Sequence, residues 1–357
     1  MIVFGNIPYT IDQIKAGDKG SLPIGFEKGF EFCWQWLNGW DRFSLQTSGS
    51  TGKPKEIEVN RKQLISSVSA TGAFFGVEKG WKLLCCLDTE KIAGKMMLLR
   101  ALEWEGDLLV QQPSANPLEK LKDCDFDFVA MVPLQVEACL SNPSTTDALH
   151  NIKNLITGGA PISISLKEDL SQLPGMVFQT YGMTETVSHI ALADVKKAGT
   201  LVYGALPGVE LKTDGDYQLL VKAPMTGDKW LATRDIVCMK SPDSFVWKGR
   251  ADFVINSAGI KIHPEEIARQ LHTTIQVFFP EKKFFFTGKP DLKWGQALIL
   301  VVEGVADQKK AAAFLSQAKE MLPKYNNPKE VIFIPEFKLS SSGKIDQLLT
   351  LATWKNS

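Results

Sequence analysis

Thr47-Ser48-Gly49-Ser50-Thr51-Gly52-Lys53-Pro54-Lys55 is the stretch on which the reading of this chain turns. The residues before it, Phe43-Ser44-Leu45-Gln46, alternate apolar and polar, and so do Glu56-Ile57-Glu58-Val59 after it. The alternation predicts two short strands flanking a loop. Glycines let a backbone turn its N–H groups inward around an anion. Hydroxyls of Thr47, Ser48, Ser50 and Thr51 add donors, and Lys53 and Lys55 add positive charge, a set that suits a polyphosphate. Taken alone, the run reads equally as a mobile Gly/Ser turn. It is not the P-loop of the NTPases. Gly49 and Gly52 are too close together, Pro54 stands where a magnesium-binding hydroxyl belongs, and a strand rather than a helix follows.

The totals narrow the class. At 357 residues the chain can bury an ample core, and 44% hydrophobic with 22% charged residues reads as globular. Forty basic and forty acidic residues give zero net charge, against the basic balance of a nucleic-acid binder. The six cysteines (33, 85, 86, 124, 139 and 238) include no C-x-x-C pair, and the four histidines are scattered, so no zinc site is expected. With no signal segment and no apolar run of about 20 residues, neither export nor membrane insertion is expected, and free thiols fit a reducing cytoplasm.

Along the chain, residues 1–42 crowd Phe30, Phe32, Trp34, Trp36, Leu37 and Trp40 together. A packed helix and an aromatic cover over a pocket both account for this, and packing is favoured. Asn60 is placed to cap a helix over 61–75. Strands are expected at 82–87, 107–111, 125–132, 154–157 and 176–180, and helices at 92–105, from Pro133, and at 163–173. This alternation indicates a mostly parallel sheet covered on both faces, with ligands beyond the strand carboxyl ends. Gly158-Gly159-Ala160 and Tyr181-Gly182-Met183-Thr184-Glu185 fall at such ends. From 199 to 250 short runs between glycine turns predict a small β-rich subdomain. From Asp252 the pattern changes to a separate α+β unit: strand–turn–strand over 253–262, a helix over 264–271, strands at 276–279 and 297–302, and a helix over 308–322. The fold class is therefore mixed α/β, with a large unit at 1–251 and a small one at 252–357.

Gly49-Ser50-Thr51-Gly52-Lys53-Pro54-Lys55 closely resembles the phosphate-loop signature of the adenylate-forming superfamily, which comprises acyl-CoA synthetases, luciferases and adenylation domains. Four further signatures follow in that superfamily's order, over about 300 residues. Tyr181-Gly182-Met183-Thr184-Glu185 implies Tyr181 against adenine, Thr184 on a phosphate and Glu185 on magnesium. Gly158-Gly159-Ala160 matches the backbone on adenine's other side. Trp230-Leu231-Ala232-Thr233-Arg234-Asp235 resembles the next signature, which puts Asp235 on the ribose. Arg234 stands where most relatives carry glycine, so a different local turn is expected. Lys248-Gly249-Arg250-Ala251-Asp252 implies Arg250 at the ribose and Asp252 as the hinge of a mobile C-terminal domain. Residues 255–263, with Gly259 and Lys261, resemble the hairpin that enters the site for thioester formation, with Ala258 in place of a usual glycine and Ala268 in place of a usual glutamate. Ser340-Ser341-Ser342-Gly343-Lys344 resembles the loop of the catalytic lysine. Only 46 residues precede the phosphate loop, fewer than in most relatives, and an amino-terminal subdomain is expected to be missing.

The resemblance implies a reaction between a small-molecule carboxylic acid, ATP with Mg²⁺, and coenzyme A. The helix beginning at Ile92 is similar to that of the o-succinylbenzoate–CoA ligases of menaquinone biosynthesis, in which an arginine six residues after a glycine serves the substrate's second carboxylate. Gly94 and Arg100 keep this spacing, while Lys91 and Ala93 replace the usual histidine and serine. An arginine inside an apolar helix needs an anion or a partner. A structural ion pair remains open for Arg100. Another acyl- or aryl-CoA ligase, an enzyme loading a carrier protein, and a catalytically silent nucleotide-binding protein remain open for the chain. Self-association is expected if the shortened amino terminus exposes apolar surface.

Overall fold

The computed structural model describes residues 1–46, 56–121, 125–339 and 345–355. The phosphate-loop residues Thr47, Ser48, Gly49, Ser50, Thr51, Gly52, Lys53 and Lys55, and the lysine loop with Lys344, lie outside the described residues. The flanks of the phosphate loop are described. Arg42–Gln46 and Glu56–Asn60 pair antiparallel, from Arg42 opposite Asn60 to Gln46 opposite Glu56, so the loop joins two arms of one hairpin. Asn60 ends the second arm and caps the helix Arg61–Phe75: its side chain accepts from the Gln63 amide, and Gln63 reaches back to the Asn60 N–H. Such a reciprocal cap contributes about 1 kcal/mol.

The main sheet has thirteen strands. Its edge-to-edge order is Glu210–Thr213, Gln218–Lys222, Leu231–Ser241, Ser244–Arg250, Tyr203–Ala205, His189–Asp194, Met176–Gly182, Ile152–Thr157, Phe126–Met131, Lys82–Cys85, Asp107–Val110, Ile2–Phe4 and Ile7–Tyr9. The six strands from Met176–Gly182 to Ile2–Phe4 in this order are mutually parallel. Their residues alternate between two cores. Leu83, Cys85, Phe128 and Ala130 pack with Leu64 and Val68 of Arg61–Phe75 and with Met96–Leu99 of the helix Ile92–Glu103. Leu84, Cys86, Val129 and Met131 pack with Val136 and Cys139 of Pro133–Leu140 and with Leu166 and Leu170 of Ile164–Ser171. Burial on both faces is what makes these strands read as continuous apolar runs.

Residues 199–250 do not form a sheet of their own. Their strands continue the main sheet antiparallel through His189–Asp194. A second, five-stranded sheet holds Ile255–Ser257, Ile260–Ile262, Phe284–Asp291, Gly295–Glu303 and Glu330–Ile334, packed by the helices Pro264–Phe278 and Gln308–Met321. Of residues 276–279, expected as a strand, 276–278 instead complete the helix Pro264–Phe278 and Phe279 is its C-cap residue. Ile267, Leu271 and Ile275 recur every four residues and bury one stripe, so the local β preference of Val277 and Phe278 is overridden.

The amino-terminal residues close the opposite edge. Ile2–Phe4 lies parallel to Asp107–Val110, and Ile7–Tyr9 returns antiparallel beside it. The aromatic crowd is packing: Phe30, Phe32, Cys33 and Trp36 of the helix Glu27–Leu37 are buried. Trp36 donates from Nε1 to Glu103 Oε1 at 2.8 Å, and the Arg61 guanidinium lies 3.7 Å above its ring. No helix among the described residues is long and apolar enough to cross a membrane. Trp36→Ala is expected to cost about 3–5 kcal/mol in urea unfolding, the usual cost of emptying a buried aromatic site; a loss under about 1 kcal/mol would mean that the helix is not anchored there.

Candidate active site

The site begins where the parallel strands end. Past Ile152–Thr157 the chain turns at Gly158, where a Cβ would meet Thr180 Oγ1 at 2.0 Å, and at Gly159, whose φ of +85° favours glycine. Ala160 follows, and its carbonyl accepts from Gln179 Nε2 at 3.1 Å, which ties this loop to the next strand. That strand, Met176–Gly182, ends in Tyr181 and Gly182. A Cβ on Gly182 would meet Ser188 O at 2.4 Å, so glycine lets the chain fold back against itself. Thr184 and Glu185 occupy the single 3₁₀ turn Thr184–Thr186, Thr184 half-buried and Glu185 exposed.

Tyr181, Asp235 and Arg250 are brought together, as is Asp252. Asp235 is 5% exposed. Its Oδ2 accepts from the Tyr181 hydroxyl at 2.7 Å, and its Oδ1 from Trp247 Nε1 at 3.0 Å. Burial, and then the Asp235 carboxylate, push the Tyr181 hydroxyl well above its ordinary pKa, so it stays a donor. Arg250 Nη1 stands 3.9 Å from Asp235 Oδ1, and its Nη2 donates to Asp252 Oδ2 at 2.8 Å. Each Asp235 oxygen keeps a lone pair for a further donor. Trp247 was missed in the sequence; its only signal is its place one residue before Lys248-Gly249-Arg250.

Arg234 corrects an expectation. The turn does not abandon the glycine-like conformation: Arg234 has φ +62°. Its guanidinium donates to Asp252 Oδ1 at 2.9 Å, so the carboxylate expected at the hinge is held by two arginines. Ala258 likewise has φ +52° beside Gly259 at φ +79°. Two successive positive φ values make the tight turn a hairpin needs, so Ile255–Ser257 and Ile260–Ile262 pair in register despite the alanine. Lys261 lies on that hairpin and reaches Asp216 at 3.1 Å, away from the Tyr181–Asp235 network.

The residues expected to meet the acid lie at the start and middle of Ile92–Glu103. Lys91 is the exposed N-cap residue. Gly94 is a packing glycine: a Cβ there would sit 2.3 Å from the Asp88 carbonyl oxygen. Arg100 is 2% exposed. No carboxylate among the described residues pairs with it. Nη1 faces Met97 Sδ at 3.5 Å, Nη2 donates to Ser188 Oγ at 3.3 Å, the guanidinium lies 5.6 Å from the Phe128 ring, and Nε has no partner among the described residues. Burial lowers its pKa to about 10, so it stays charged at neutral pH. Ser188, its hydroxyl partner, stands two residues after the Thr184–Thr186 turn and so links Arg100 to the Tyr181–Glu185 stretch. Among the described residues no three or more His, Cys, Asp or Glu side chains cluster as a metal site.

Strand-end loops, a buried carboxylate–arginine network and an appended small sheet define an adenylate-forming α/β enzyme. The AMP-binding enzyme model matches residues 42–223, half of the chain, and the chain belongs to that family. The acyl-CoA synthetase (AMP-forming)/AMP-acid ligase II-like protein from Dyadobacter fermentans is 36% identical, with a TM-score of 0.66, covering 97% of this chain and 98% of that one. The 2-succinylbenzoate–CoA ligase of Lactococcus lactis is 27% identical over 322 residues, 84% of this chain and 68% of that protein. The O-succinylbenzoate coenzyme A synthetase of Bacillus subtilis, solved with ATP and magnesium ion, shares the fold at TM-score 0.72 with 21% identity, over 86% of this chain and 69% of that one.

A non-glycine residue at positive φ costs about 1 kcal/mol, and an exposed ion pair returns less than that. Arg234→Gly is therefore expected to leave thermal stability unchanged or slightly raised; a loss above about 1 kcal/mol would show that the contact to Asp252 outweighs the backbone cost.

Proposed function

We propose that this chain is an ATP-dependent acid–CoA ligase that converts 2-succinylbenzoate to its CoA thioester, releasing AMP and pyrophosphate. The observation that carries the reading is the buried Arg100 guanidinium, which has no carboxylate partner among the described residues. Such a charge is costly inside an apolar helix pair unless an anion arrives to meet it. A substrate with two carboxylates supplies one to be activated and one to meet Arg100.

One substrate carboxylate attacks the α-phosphorus of ATP, the bond to pyrophosphate breaks, and an acyl-adenylate remains. The loops 158–160 and 181–182 would enclose the adenine, with Asp235 taking ribose hydroxyls on its free lone pairs and Arg250 beside it. Thr184 would donate to a phosphate oxygen. Glu185, exposed on its turn, would hold Mg²⁺ together with the phosphates, and the ion supplies charge neutralisation there. Lys53 and Lys344 would add fixed positive charge where negative charge develops. The CoA sulfur then attacks the acyl carbon, its proton passes to solvent, and AMP leaves. For this second step, residues 252–357 would turn about Asp252, which requires the Arg234 and Arg250 contacts to Asp252 to be exchanged, and the hairpin with Gly259 and Lys261 would approach the site.

Two experiments follow. Pyrophosphate release with ATP and Mg²⁺ is expected with 2-succinylbenzoate, but not with benzoate, a medium-chain fatty acid or amino acids. CoA should accelerate it and Lys344→Ala should abolish it; preference for another acid on the panel would refute the substrate. Separately, Arg100→Met replaces an unpaired buried charge by an apolar chain of similar length. It is expected to stabilise the free protein by about 1–4 kcal/mol in urea unfolding. A comparable destabilisation would identify Arg100 as a structural element instead.

A further inference from the structure

Behind Arg100 lies a chain of side chains that the reaction described so far does not use. Ser188 precedes and His189 opens the strand His189–Asp194, and Thr71 and Ser67 face them from Arg61–Phe75. His189 is 5% exposed and Thr71 and Ser67 are fully buried. His189 Nε2 lies 3.1 Å from Thr71 Oγ1, and Thr71 Oγ1 lies 3.0 Å from the Ser67 carbonyl oxygen. A carbonyl only accepts, so the Thr71 hydrogen points to Ser67, and His189 Nε2 must be the donor to Thr71. Nδ1 is then the bare nitrogen. It faces Ser188 Oγ at 3.4 Å. Arg100 Nη2 only donates, so Ser188 accepts from it at 3.3 Å and keeps its own hydrogen for Nδ1. Every donor in the line runs the same way: Arg100 to Ser188, Ser188 to His189, His189 to Thr71, Thr71 to the helix backbone.

The line carries no negative charge. It fixes the guanidinium without neutralising it. Burial, and then Arg100 itself, hold the His189 pKa well below the ordinary histidine value, so the ring stays neutral and adds no second positive charge. The backbone that presents Ser188 is strained. Val187, a β-branched residue, has φ +64° and ψ −52°, and the Ser188 N–H closes onto Thr186 O at 2.7 Å across it. This is the rare positive-φ γ-turn. Thr186, itself buried, clamps the turn by accepting from Met183 N at 2.9 Å. A folded chain keeps such strain where surrounding contacts over-determine it, commonly at functional sites.

We infer that Ser188 and His189, backed by Thr71, form a positioning relay that aims the Arg100 guanidinium at the second carboxylate of the acid substrate. They are thereby specificity determinants of the acid pocket. The inference rests on the dicarboxylate reading above.

The test compares wild type, His189→Phe, His189→Gln and Ser188→Ala, each with ATP, Mg²⁺ and 2-succinylbenzoate. His189→Phe keeps the ring volume and removes both nitrogens; His189→Gln keeps one donor and one acceptor. The relay predicts a roughly tenfold rise in KM for the acid in His189→Phe and in Ser188→Ala, with KM for ATP unchanged, and recovery towards wild type in His189→Gln. ¹⁵N spectra of the free wild-type protein should show His189 as the neutral Nε2–H tautomer from pH 6 to pH 8. An unaltered KM for the acid in Ser188→Ala overturns the relay even if the phenylalanine variant fails to fold. So does a glutamine variant as impaired as phenylalanine, or an Nδ1–H or imidazolium form. If wild type rejects 2-succinylbenzoate, the ligase substrate falls and the relay's role falls with it. If wild type accepts it and the substitutions leave its KM unchanged, the substrate stands and the relay alone is lost.

Discussion

Arg100 is a charge buried without a carboxylate to meet it among the described residues. It sits on an apolar helix packed on the main sheet beside Arg61–Phe75, at 2% exposure. Desolvating a guanidinium costs several kcal/mol. Phe128 and Ser188 offset only part of that. A chain that keeps such a group gives up stability at one point, and that loss is intelligible when the missing anion is a ligand. Its surroundings suit that charge. Burial, and then Arg100, lowers the His189 pKa, Val187 at φ +64° presents Ser188, and Gly182 clears the space in which the chain turns back.

The nucleotide side follows a different logic. The charges there are partnered before any ligand arrives: Asp235 with Tyr181, Trp247 and Arg250, and Asp252 with Arg234 and Arg250. Such a network holds its shape, and each Asp235 oxygen keeps a lone pair for a further donor. Arg100 lacks a carboxylate partner among the described residues, whereas Asp235 and Asp252 each have more than one partner. The two meet in the turn Thr184–Thr186, whose neighbours are Tyr181 on one flank and Ser188 on the other.

Much of this was legible in the sequence because it lies in local pattern. The phosphate-loop hairpin declared itself by strict alternation on both arms, and the parallel strands by their apolar runs bounded by turn residues. Tyr181 and Gly158 were placed at strand ends by the same signals. What was not legible depends on contacts between distant segments. That Arg234 and Ala258 would hold glycine-like φ values cannot be read from an arginine and an alanine, because neighbouring strands impose those conformations. Residues 276–279 look like a strand until Ile267, Leu271 and Ile275 are seen to share one buried stripe. Ser188 and His189 stand immediately after a recognised signature, yet their meaning comes from Thr71, 118 residues away in sequence.

The most direct measurement is the ratio of kcat/KM for 2-succinylbenzoate to that for each of its two single-carboxylate analogues, 4-oxo-4-phenylbutanoate and 2-butyrylbenzoate, by pyrophosphate release in wild type and in Arg100→Met. If Arg100 meets the second carboxylate, wild type should prefer the dicarboxylate over whichever analogue still reacts by roughly 10²-fold, since a buried charge left unpaired costs about 3 kcal/mol. That preference should collapse towards unity in Arg100→Met. A preference that survives the substitution intact would contradict the account, because the second carboxylate would then be recognised elsewhere.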